Sequence, residues 1–114
     1  MVPNLRGLVR HELNATIDIW DALTDAHLGR LVNINGAGLM IMTDQKLVVD
    51  KLYQLRLSLP QALSAAGDVS FGADCLWVKA SGEEQIYWAG CQIIDISAAG
   101  LAAIELLVSR FNLS

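Results

Sequence analysis

Cysteine is scarce in this chain of 114 residues: there are two, Cys75 and Cys91. That excludes a disulfide-framed scaffold, and two cysteines without companion ligands at metal spacing exclude a zinc module. Proline is equally rare, at positions 3 and 60, and charged residues make up only 18%. An excess of positive charge is missing too. Eight Lys and Arg against twelve Asp and Glu leave a net charge of −4 and a pI of about 4.9. A protein that tracks a phosphate backbone needs a basic face, so duplex nucleic acid is excluded as the expected partner. Long apolar runs are absent as well. Mean hydropathy is +0.41, yet Asp18, Asp21, Asp44, Asp50, Asp74, Asp95 and Glu105 interrupt every stretch that could span a bilayer. Arg6 and Arg10 occupy the place of a secretory apolar segment, so the chain is expected in the cytoplasm and not embedded in a membrane. Enzyme signatures are missing: there is no nucleophile elbow, no phosphate loop of Walker type and no paired carboxylates. The chain is therefore expected not to be an enzyme and to carry no cofactor.

What is present is apolar, at 54% of residues, in a length that suits one domain with one core. Periodicity divides it. Residues 1–11 have no clear period and contain Pro3 and Gly7, which predicts an arm. Leu13, Ala15, Ile17 and Ile19 alternate with polar residues, a half-buried strand over 12–20. A turn follows at 22–26, then strands at 28–34 and 39–43 separated by Asn35-Gly36-Ala37-Gly38. Residues 44–50 are ambiguous. Tyr53, Leu55, Leu57 and Leu59 mark a fourth strand that Pro60 ends. Strands at 69–79 and 86–95 flank a turn at Ser81-Gly82, which sets Cys75 and Cys91 near each other across a hairpin as small buried apolar residues. The period then lengthens. Leu101, Ile104, Leu107, Val108 and Phe111 recur at steps of three and four, a helix over 97–112 with Ser97 as its N-cap. The fold class is all-β with one helix: a six-stranded antiparallel barrel over 12–96 and a C-terminal helix, in a single domain. Barrel closure removes the exposed edges that a small open sheet would leave.

Chemistry concentrates in two places. Arg6 and Arg10 lie four residues apart in a segment that also holds His11 and no acid. Each guanidinium is a planar fork that pairs bidentately with phosphate or with the O6 and N7 edge of guanine. A small cationic arm on an acidic body suits a compact anionic ligand. The bend from Asn33 to Gly38 is the second place. Asn33 offers both a donor and an acceptor, and the glycines let a ligand approach the main chain. The plainer readings are that the arginines solubilise a chain end and the asparagines stabilise a turn. Trp77 is read first as a core or barrel-wall residue and second as a stacking platform. His11 is expected in solvent, His27 has no nucleophile to serve, and Arg30 either pairs with a strand neighbour or extends an anionic site.

In this order and separation, Arg6-Gly-Leu-Val-Arg10 and Asn33-Ile-Asn-Gly-Ala-Gly38 resemble the ligand signature of PilZ domains, the bacterial receptors for cyclic di-GMP. The family pattern is Arg-x-x-x-Arg followed by Asp/Asn-x-Ser-x-x-Gly, and Asn35 stands here in place of the serine. Residues 28–34, the tryptophan-bearing stretch 75–78 and residues 88–95 also look like family strands, so the likeness runs over nearly the whole chain. It implies a cyclic di-GMP receptor that relays the messenger to motility, polysaccharide or biofilm machinery by protein contact, as a monomer or homodimer. Arg6, Arg10, Asn33, Asn35, Gly38 and Trp77 would bind the nucleotide. The alternative is an interaction protein of the same fold that does not bind it, as in pilus assembly. Asp95-Ile-Ser97-Ala-Ala-Gly100 matches the second pattern more closely, but a helix follows it, and Ser97 there reads as a cap.

Overall fold

Alternation in the sequence becomes a closed sheet in the computed structural model, which describes residues 16–59 and 68–111. Among the described residues, six strands, β1 (Asp18–Asp21), β2 (His27–Ile34), β3 (Gly38–Thr43), β4 (Leu52–Ser58), β5 (Asp68–Ala80) and β6 (Tyr87–Asp95), precede one helix, α1 (Ala98–Phe111). All pairings are antiparallel. The strands close in the order β1-β2-β3-β6-β5-β4, with β4 returning to β1, so no edge is left open. This is the six-stranded antiparallel barrel with a terminal helix that the sequence led us to expect. The proposed arm at 1–11 lies outside the described residues.

One face of each strand fills the barrel. Ile19, Ile34, Leu39, Ile41, Leu55, Leu57, Val69, Phe71, Ala73, Cys75, Ala89 and Cys91 form its core. Each Val, Leu, Ile or Phe buried in this way stabilises the fold by about 1.5–3 kcal/mol before entropy is counted. The helix closes the set by adding Ile104 and Leu107, both fully buried, with Val108 partly buried against the same cluster. Its start is fixed as the sequence predicts: the Gly100 amide donates to Ser97 Oγ at 3.0 Å, and the Leu101 amide to the Ser97 carbonyl at 2.9 Å. Ser97 is thus a cap, and the pattern at 95–100 belongs to the helix start.

Cys75 and Cys91 are register partners across β5 and β6 and remain reduced thiols inside the barrel. Burial pushes both thiols up, Cys91 to about 12. Thiolate, the reactive form, is therefore scarce at neutral pH, and the pair acts as packing. Among the described residues, no helix is long and apolar enough to cross a membrane and no cluster of three or more His, Cys, Asp or Glu is placed to hold a metal.

Candidate functional site

Two interruptions of the strand alternation build the site. β2 faces the core at Leu31, and counting by twos would turn residue 33 inward as well. A register shift between Leu31 and Asn33 inserts Val32 as an extra residue, and Asn33 faces out. The same happens across the barrel. Cys75 is fully buried, and strict alternation would bury residue 77. A shift between Cys75 and Trp77 leaves Leu76 unpaired and turns Trp77 to the outside, 41% exposed. The core reading of Trp77 is thereby corrected: the bulge turns its ring onto the outer face of the barrel wall. β-Bulges gather beside functional sites because they re-aim a side chain without ending the strand.

These two bulges serve one row. Asn33 pairs with Met40, Met40 with Gly90, and Gly90 with Trp77, so four strands present these residues side by side on the outer face. A parallel row runs beside it: Arg30, Met42, Trp88 and Lys79, again register partner to register partner. Gly90 exists to admit the indole of Trp77: a Cβ at position 90 would come within 2.0 Å of Trp77 Nε1. Beyond Gly90, Met40, Trp77, Lys79, Ala80, Ser81 and Trp88 line an open groove of about 370 Å³.

The bend between β2 and β3 sits at one end of this face. Asn35 Oδ1 accepts from the amides of Ala37 (2.8 Å) and Gly38 (3.1 Å), an Asx-type turn that holds the chain for its reversal. Its carboxamide oxygen is thus committed to the backbone, and its Nδ2 group is the part left to face a ligand. The Ala37 carbonyl in turn accepts from the Ile93 amide of β6 at 2.8 Å. Gly38 is required by proximity: a Cβ there would lie 2.6 Å from the Cys91 carbonyl oxygen. The helix touches the same bend, with Leu101 Cδ1 3.5 Å from where a Gly36 Cβ would stand.

Of the expected site residues, Asn33, Asn35, Gly38 and Trp77 therefore share one outer face of the barrel. Arg6 and Arg10 lie outside the described residues. Arg30 has no carboxylate partner among the described residues; its Nη2 rests 3.5 Å from Met42 Sδ. His27 instead holds Asp18 at 2.9 Å and meets the Trp20 ring edge-on at 4.8 Å, on the opposite flank of β2. Asp74, the register partner of Gln92 and hence in line with Gly38, has a buried Oδ1 with no hydrogen-bond donor among the described residues. Sequence reading missed Met40, Lys79 and Trp88. The available signal was the Leu-Met-Ile-Met order of β3, in which every second apolar residue must face away from the core.

No family model matches the chain, and no curated protein sequence does. Solved structures do. The PilZ domain of YcgR from Escherichia coli, solved with c-di-GMP, superposes with a TM-score of 0.63 at 11% identity, over 85% of this chain and 81% of that one. The barrel has a PilZ-like fold. MrkH of K. pneumonia in its apo state gives a TM-score of 0.67 at 14% identity, over 88% of this chain and 48% of that one. The Bacillus subtilis inhibitor of motility MotI gives 0.60 at 13%, over 86% and 46%. The chain thus spans about half the length of these last two proteins, and most of the isolated PilZ domain. At such identities the likeness is one of fold.

Proposed function

We propose that this chain is a receptor for cyclic di-GMP and that the outer face of β2, β3, β6 and β5 holds the nucleotide. The reading is carried by one observation: independent bulges in β2 and β5 turn Asn33 and Trp77 onto the same cross-strand row, beside a bend held by Asn35 and Gly38. Two of the solved structures of this fold were determined with that ligand, YcgR's PilZ domain and the PlzA protein of Borreliella burgdorferi. In this reading Asn33 reads a guanine edge with its paired donor and acceptor. Backbone at Gly36 and Gly38 allows close approach. Arg6 and Arg10 supply phosphate and guanine contacts, and the liganded surface is what a protein effector recognises. The bend's contacts with β6 and with Leu101 give a route by which a ligand at the site is felt at the helix. The reading assigns binding and relay, with no catalytic step and no cofactor.

Calorimetry with cyclic di-GMP is the test. Wild type binds, and an Arg6→Ala/Arg10→Ala variant loses at least about tenfold in affinity, as expected from losing charge-assisted hydrogen bonds of ~1.5–3 kcal/mol each. Equal binding by both proteins removes the clamp. Absence of binding by the wild type, with retention of a protein partner, would establish the interaction-protein reading instead.

A further inference from the structure

The chain has three tryptophans, and their surroundings differ in a way that stability does not explain. Trp20 is fully engaged: its indole Nε1 donates to Ser58 Oγ at 2.9 Å, His27 meets its edge, and the Arg56 guanidinium lies 5.5 Å from its ring centroid. Trp77 and Trp88 share a groove with none of these. Among the described residues neither indole N–H has an acceptor, and neither ring stacks on another ring or on a cation. Trp77 lies across Gly90, Trp88 stands two residues along the same face of β6, and Met40 lines the space with them. Lys79, the register partner of Trp88, is exposed and has no carboxylate partner among the described residues.

We infer that the groove between Trp77 and Trp88 is a second base subsite, which takes the guanine that the Asn33–Gly38 bend does not read. The inference rests on the receptor reading above and extends it. Cyclic di-GMP carries two purines and two phosphates on one ring, so a site that fixes a single base leaves half the ligand in water. From Asn33 to Trp77 the row crosses three inter-strand gaps, ~14 Å at ~4.8 Å each. That span separates the two ends of the face enough for each to take one base. The groove's chemistry suits a purine: two indole faces and a thioether for stacking, and one ammonium for the adjoining phosphate. Arg30 and Lys79, at opposite ends of the second row, bracket the face with positive charge in an otherwise acidic protein. An apolar contact with a protein would not need a cation at this rim, and a polymer would need more than two.

Calorimetry with cyclic di-GMP on three variants of the full chain tests this. Trp88→Leu should lower affinity about tenfold or more, the scale of one base–aromatic stack. Trp88→Phe should restore most of it. Gly90→Ala, which forces the Trp77 indole off its bed, should match Trp88→Leu while leaving Trp88 in place. Quenching supplies a readout independent of folding defects: a Trp20→Phe protein, with Trp77 and Trp88 as its only indoles, should lose much of its fluorescence on titration with the dinucleotide. Wild-type affinity in Trp88→Leu and Gly90→Ala, or an unquenched Trp20→Phe protein that still binds by calorimetry, overturns the groove assignment and leaves the receptor reading standing. No heat and no quenching with wild type overturns both.

Discussion

The inner and outer faces of β3 and β6 are nearly alike in composition and opposite in consequence. Inward, Leu39, Ile41, Ala89 and Cys91 are buried almost completely. Outward, Met40, Met42 and Trp88 are just as apolar, yet they stay half-exposed. Burial accounts for the first set, since each side chain removed from water stabilises the barrel. It gives no reason for the second. A surface that keeps tryptophan and methionine in water, beside an asparagine and two cations without a carboxylate partner among the described residues, is arranged for something that covers it. On the receptor reading, the face of a strand that contributes least to folding is the face that carries function.

That contrast can be broken most forcefully from the inside. Ile41→Ala should cost about 2–5 kcal/mol in denaturant unfolding, while Met40→Ala, its neighbour on the other face, should cost under about 1 kcal/mol. Similar losses at both would mean that the outer row is structural. Gly38→Ala probes the place where the two faces meet. The added methyl has to displace the Cys91 carbonyl, so a loss of about 1–3 kcal/mol is expected together with weakened binding of cyclic di-GMP. A smaller effect concerns pH. The folded chain holds the Cys91 proton up to about 12, whereas an unfolded thiol releases it near 9.0. Between these values the unfolded state binds fewer protons, so stability falls as pH rises. Urea melts from pH 8 to 11 should show a shallower fall in Cys91→Ala than in wild type; equal slopes would show that the thiol is not sheltered. Smallest of all, Asn33→Ala should leave the unfolding midpoint within about 0.5 kcal/mol of wild type while weakening the nucleotide complex.

How much of this was legible in the sequence follows from the same contrast. Where polar and apolar residues alternate, as at Tyr53-Gln54-Leu55-Arg56-Leu57, the strand and its inner face can be read directly, and β4 lies where it was expected. The helix and its Ser97 cap were equally plain, because the period changes from two to between three and four there. The opposition of Cys75 and Cys91 followed from the position of the turn between them. Alternation fails where both faces are apolar. In Leu39-Met40-Ile41-Met42 nothing in polarity says which set is inside, so Met40 went unnoticed as a groove residue. It fails again at a bulge, where one extra residue reverses the count. That is why Trp77 read first as core or wall, and why Leu76 beside it is exposed too. The site was half visible in the sequence because its motif residues sit on a bend with turn chemistry. The other half depends on register shifts, which come from cross-strand packing and leave no local pattern.

On the receptor reading, cyclic di-GMP lies across the outer row from Asn33 to Trp77. The most direct test of this placement is a two-dimensional ¹H–¹⁵N spectrum of the full chain titrated with the dinucleotide, in which the three indole N–H signals report separately. Shifts are expected in the amides of Asn33 to Met40 and Gly90 and in the indole signals of Trp77 and Trp88, with the indole of Trp20 unmoved. Saturating ligand that shifts Trp20 and its neighbours while leaving Asn33, Trp77 and Trp88 in place would contradict it.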